Sequence, residues 1–153
     1  PMTTRRPLIA GNWKMYKTRA EATAFLRELC DKLKVLPANA LPDVMVCASF
    51  TLLPALKDEA ERLQAPVAIA AQTMESRDEG AYTGEVSPKM LADLGLDAVV
   101  LGHSERRQYF NDTDEAVNAK TKAALANGLL PVVCVGEDLT QREAGQTDAV
   151  VLE

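Results

Sequence analysis

The sequence carries none of the short signatures that announce a bound nucleotide or metal. There is no GxGxxG, Walker A, HExxH or CxxC pattern in its 153 residues, which argues against a dinucleotide fold, a P-loop and a zinc site. Cysteine is scarce and odd in number, with Cys30, Cys47 and Cys134 at no metal-type spacing. Cys47 and Cys134 sit inside apolar runs, where cysteine acts as a small hydrophobe. The compartment is therefore read as reducing and cytoplasmic. No apolar run is long enough to cross a membrane, and Pro1 to Pro7 lacks the apolar core of a secretory leader. No membrane partner is expected. Asn111 to Thr113 matches a glycosylation acceptor, read as accidental in the absence of a leader. Basic residues are outnumbered 17 to 22, for a net charge of -5. Nucleic-acid surfaces are usually basic, so no such partner is expected. An anionic small substrate stays open, because the field inside one cleft decides its binding.

What is present is an ordinary globular composition, 47% hydrophobic and 25% charged, with room for one domain. Five short apolar runs recur: Leu8–Ala10, Val44–Ala48, Val67–Ala71, Ala98–Leu101 and Leu130–Val135. None alternates polar with apolar. Such runs read as strands buried on both faces, as in a parallel sheet. Helical patterns lie between them. Thr18 and Glu21 form a capping-box pair, followed by Ala22, Phe25, Leu26, Leu29, Leu33 and Leu36 at helical spacing. Leu52, Leu53, Leu56, Ala60 and Leu63 repeat the pattern before Pro66. Ser87 and Pro88 read as an N-cap and first helical residue, with Gly95 as the stop. Thr113 caps a helix ending at Gly128, and a further helix starts near Thr147. The order βαβαβαβαβ predicts an α/β fold with right-handed crossovers. Residues Gln72 to Glu85 break the rhythm, and long connections of this kind are usually functional or interfacial.

In such a fold the carboxyl ends of the strands share one face. The only histidine, His103, stands there, between Gly102 and the charged stretch Ser104–Arg107. Imidazole titrates near neutrality and serves as acid or base. The first strand ends in Asn12, Trp13 and Lys14, the third in Gln72, the fifth in Gly136 and Glu137. An amide, an ammonium and an imidazole around one space suit a substrate carbonyl beside an anionic group. Each also has a plain structural reading. His103 is then a satisfied polar group, Lys14 a solvated cation, Asn12 a turn residue, and Trp13 a packing group. Arg106 and Arg107 are then a solvated helix face, and Glu105 a first-turn carboxylate or a partner for Lys14. From residue types alone the reading stops at a phosphate- or carbonyl-handling α/β enzyme.

Four segments carry a resemblance further. Ala10–Met15 (AGNWKM), Gly80–Pro88 (GAYTGEVSP), Leu101–Arg107 (LGHSERR) and Pro131–Glu137 (PVVCVGE), the last followed by Arg142–Gly145 (REAG), resemble the triosephosphate isomerases in motif and in order. The resemblance implies a parallel (β/α)8 barrel, of which this chain supplies about five βα units. Residues 1–153 then form an incomplete barrel domain ending within the helix after strand five. It implies isomerisation of dihydroxyacetone phosphate and glyceraldehyde 3-phosphate through an enediol, in glycolysis and gluconeogenesis, with no metal or organic cofactor. His103, Lys14 and Glu105 are the implied catalytic residues, and Asn12 and Lys14 the implied substrate-binding ones. In that family, itself a standard illustration of the effect, the imidazole is neutral because it faces a helix N-terminus. Glu105 would help to place Lys14 and His103, and Cys134 would pack under the catalytic floor. A homodimer through the Gln72–Glu85 loop is implied, with Thr83 reaching the partner's site and Glu85 and Arg106 forming an ion pair there.

Two departures from the family pattern stand out. Thr73 occupies a position where the family usually shows asparagine, which bears on local loop packing. The larger one concerns length, since a (β/α)8 barrel typically needs about 250 residues. The family's base glutamate follows its sixth strand in a Tyr-Glu-Pro-Val-Trp context, and no such segment occurs here. These residues alone are therefore expected to be inactive and prone to association through open sheet edges. Two other readings compete with an isomerase: a non-catalytic partial-barrel assembly module, and a five-stranded flavodoxin-like binding domain.

Overall fold

The computed structural model describes residues 5–152. Five strands form one parallel sheet in the order β1-β2-β3-β4-β5: β1 is Leu8–Asn12, β2 Asp43–Ala48, β3 Val67–Ala71, β4 Ala98–Leu101 and β5 Leu130–Val133. Between them run α1 (Arg19–Lys34), α2 (Leu53–Leu63), α3 (Pro88–Asp93), and the pair α4 (Ser104–Phe110) and α5 (Asp114–Ala126). Two short helices, α6 (Leu139–Glu143) and α7 (Thr147–Leu152), follow β5. A flavodoxin-like sheet has the order 2-1-3-4-5. Among the described residues β1 lies at the edge and pairs only with β2, which removes that reading.

The expected caps are in place. Ser87 Oγ accepts from the Met90 amide at 3.1 Å and Thr113 Oγ1 from the Ala116 amide at 3.2 Å. Glu21 reaches back to the Thr18 amide at 2.7 Å. Each such cap contributes about 1 kcal/mol. α6 was not anticipated; Asp138 caps it by accepting from the Gln141 amide at 2.8 Å.

Apolar residues on successive strand positions go to opposite faces, and both faces are apolar. Val46, Ala48, Ile69, Ala71, Val99 and Leu101 pack under Leu26, Leu53, Leu56 and Leu91 of the helices. Each of these leucines, wholly removed from water, contributes about 1.5–3 kcal/mol. Met45, Cys47, Ala70, Ala98 and Val100 line the inner face with Ala68, Val132 and Cys134. Two-faced burial thus holds for β2, β3 and β4 but not for β1 or β5. Every residue of β1 is exposed, and Leu130 and Val133 of β5 are 56% and 42% exposed. Both are sheet edges with a neighbour on one side only. Phe25 and Leu36, though in helical register, also lie toward solvent.

Candidate active site

The loop after β1 is built around strained backbone. Lys14 has φ 52°, the left-handed region that a non-glycine residue occupies at a cost of about 1–3 kcal/mol. Hydrogen bonds hold it there. Asn12 Oδ1 accepts the Lys14 amide at 2.9 Å. Gln72 Nε2, arriving from the end of β3, donates to Asn12 Oδ1 (3.1 Å), the Lys14 carbonyl (2.9 Å) and the Cys47 carbonyl (3.1 Å). Trp13 points the other way and packs edge-on against Phe25 at 5.2 Å between centroids. The Lys17 ammonium lies 5.3 Å and 5.0 Å from those two rings.

From the opposite wall, Gly102 turns β4 into α4 with φ 67°. Its successor, His103, caps α4 with its ring: Nδ1 accepts the Glu105 amide at 3.2 Å. An accepting Nδ1 leaves the ring proton on Nε2, the donor nitrogen of this imidazole. Glu105 Oε1 accepts from Lys14 Nζ at 2.7 Å, and its Oε2 lies 3.6 Å from His103 Nδ1. The hydrogen bond to Lys14 and its charge hold Glu105 below the ordinary carboxylate range, and the same contact raises Lys14. Asn12, Lys14, Gln72, His103 and Glu105 line one cleft of about 510 Å³ with Tyr16, Ser49, Phe50 and Phe110. Thr73, at its rim, has a buried Oγ1 with no hydrogen-bond partner among the described residues.

The long loop is ordered by its own side chains. The Glu75 amide donates to the Val86 carbonyl at 2.8 Å. Arg77 pairs with Glu75 at 2.8 Å and lies 4.6 Å from the Tyr82 ring centroid. Thr83 and Glu85 are exposed on it. Within the chain Arg106 is bound to Asp112 at 2.9 Å, and Lys120 shares that carboxylate at 3.1 Å. Burial alone would raise Asp112; its two cations outweigh that and hold it below the ordinary range.

This cleft and this topology have close counterparts. The triosephosphate isomerase family model matches residues 7–153. The chain belongs to the triosephosphate isomerase family. The enzyme of that name from Carboxydothermus hydrogenoformans is 54% identical over 96% of this chain and 57% of its own length. One from Clostridium botulinum (strain Loch Maree / Type A3) is 50% identical over the same shares. The chain thus spans 57% of the length of these curated relatives. The crystal structure of triosephosphate isomerase from Bartonella henselae superposes with a TM-score of 0.87 at 34% identity, covering 97% of this chain and 59% of that one. The curled five-stranded sheet is accordingly part of a TIM barrel. Measured against a triosephosphate isomerase fold, the strand ends named from the sequence do converge: Asn12, Lys14, His103 and Glu105 share one cleft. Three residues were not assigned a role: Gln72, which lines the cleft, and Arg107 and Asp112, which bind Gly102 and Arg106 behind it. Gln72 alone carried a usable signal, because it follows an apolar run directly, as His103 nearly does. Glu137 takes no place there; its Oε1 accepts from Thr147 Oγ1 at 3.2 Å.

Proposed function

We propose that this chain supplies the electrophilic half of a site that interconverts dihydroxyacetone phosphate and glyceraldehyde 3-phosphate through an enediol. One observation carries the reading. His103 accepts the Glu105 amide through Nδ1, which leaves its ring hydrogen on Nε2, and the ring lines the same cleft as Lys14 and Asn12. A ketone or aldehyde oxygen bound there receives that hydrogen bond, and the imidazole returns protons between the two oxygens as the enediol forms. Lys14 offsets the charge of the phosphate and of the developing enediolate, and Asn12 lines the pocket beside it. Glu105 fixes both neighbours.

The reaction also needs a base at carbon. Among the described residues the only carboxylate lining the cleft, Glu105, is committed to Lys14 at 2.7 Å. A positioned base contributes about 10²–10⁴ in rate, so residues 1–153 alone, an incomplete barrel domain in this reading, are proposed not to turn over. The same reading makes the protein a cytoplasmic glycolytic and gluconeogenic homodimer through the Gln72–Glu85 loop, with Thr83 in the partner's site and an ion pair between Glu85 and Arg106. In a full-length polypeptide carrying these residues, His103→Gln is expected to collapse isomerase turnover; unchanged turnover overturns the role of His103. A non-catalytic assembly module is favoured instead by one observation, the exposed apolar residues Leu8, Ile9 and Leu130 on the two edge strands. That reading predicts concentration-dependent association of the 153-residue chain and no saturable binding of a phosphorylated enediol analogue.

A further inference from the structure

Arg107 is three residues beyond the start of α4, yet its side chain folds back beneath His103. Nε donates to the Gly102 carbonyl at 2.7 Å, Nη2 to the Cys134 carbonyl at 3.1 Å, and Nη1 to Asp114 Oδ1 at 2.6 Å. One planar group thus ties the end of β4, the segment after β5 and the first turn of α5. The backbone around it repeats the connection: the Arg107 amide donates to the His103 carbonyl at 3.1 Å, and the Cys134 amide to the Leu101 carbonyl at 2.8 Å. The space is filled. A Cβ built on Gly102 would meet Arg107 Nη2 at 2.8 Å and the Val117 methyls at 3.0 and 3.1 Å. Gly102 therefore answers two demands at once, a left-handed turn and room for a guanidinium.

From this geometry we propose that Arg107 is a positioning residue for His103. Its guanidinium bonds to no lining residue of the cleft. It acts through Gly102, whose carbonyl it fixes and whose turn aims the imidazole so that Nδ1 meets the Glu105 amide and Nε2 faces the substrate. Lysine cannot replace it, because an ammonium presents no planar fork to two carbonyls and a carboxylate in different directions. The inference rests on His103 acting in the proposed isomerisation, but the placement itself is measurable without turnover.

A single histidine makes the measurement clean. In the parent chain, long-range proton–nitrogen NMR of the imidazole is expected to show one tautomer, protonated at Nε2, and a slowly exchanging Glu105 amide. Arg107→Lys and Arg107→Met are expected to give a mixture of tautomers and exchange of that amide at least about tenfold faster. Gly102→Ala should act in the same direction by pushing the guanidinium away. Should either of the more drastic variants fail to fold, Asp114→Ala removes one arm of the fork and leaves both carbonyl bonds, and a partial shift is expected. Glu59→Gln, which cuts an ion cluster on α2 remote from the cleft, is the stability control and should leave the imidazole signals unchanged. In a full-length polypeptide, Arg107→Lys should lower kcat about ten- to a hundredfold with KM within about twofold, since a displaced reacting group costs rate more than binding. Imidazole and Glu105 amide signals in Arg107→Lys that match the parent would overturn the proposal. A full-length parent without isomerase activity would overturn the function instead and leave the tautomer result standing.

Discussion

Lys14 Nζ lies 2.7 Å from Glu105 Oε1, an ion pair that closes 91 residues of sequence. It joins the loop after the edge strand β1 to the first turn of α4, both of which line the cleft. Glu105→Gln keeps the size of the side chain and removes the charge. The Lys14 ammonium should then titrate closer to the ordinary 10.5, readable by nitrogen NMR of the side chain. Affinity for a phosphorylated enediol analogue in the full-length protein should fall about two- to fivefold, the scale of an exposed pair. An unmoved Lys14 titration would show that the contact does not hold in solution.

Gln72→Met should leave Asn12 Oδ1, the Lys14 carbonyl and the Cys47 carbonyl without their shared donor. The expected loss is about 1–3 kcal/mol of stability by urea denaturation. The release of Lys14 from its left-handed backbone should show as chemical-shift changes at residues 12–16. A loss of stability without those shifts would contradict the bracing role.

Glu59 accepts hydrogen bonds from both Arg62, at 2.6 and 3.0 Å, and Arg27. Those bonds lower its carboxyl from 4.5 to about 2 in the fold. A group depressed in this way favours the fold fully above 4.5 and loses its effect as pH falls toward 2. Urea denaturation from pH 6 down to pH 2 should therefore be steeper in the parent than in Glu59→Gln across that window. Parallel profiles would exclude Glu59 as a source of the acid sensitivity.

Burial, with a smaller contribution from nearby Cys134, pushes the Cys47 thiol up to about 11. At pH 8 only about one molecule in a thousand carries its thiolate, which is the form that reacts. Iodoacetamide should modify Cys47 at least about a hundredfold more slowly in the folded chain than in urea, as mass spectrometry of digests would show. Rapid folded-state labelling would mean that the inner face of the sheet opens to solvent.

The parts of the fold that were legible in the sequence are those governed by local chemistry. Continuous apolar runs located all five strands, and Ser87, Pro88, Gly95, Thr113 and Gly128 fixed helix ends within two residues. Which strands would be covered was not legible, because run composition does not say which strand sits at an edge. Leu8 and Ile9 look no different from Val67 and Ile69 as sequence, and they differ only by having one neighbour instead of two. Within the cleft, Lys14 and His103 were found because each lies two residues past a strand end. Arg107 was hidden by its own neighbourhood. Beside Arg106 in a charged stretch it reads as a solvated face, and only the fold-back to Gly102 and Cys134 shows otherwise.

A cation at position 14 sits on backbone that glycine would occupy at no steric cost. Any programme that selected this chain for robustness alone would begin by erasing that side chain, and with it the positive charge beside His103. Durability and reactivity therefore make opposite demands on one residue, and the lysine that stands there records which demand prevailed.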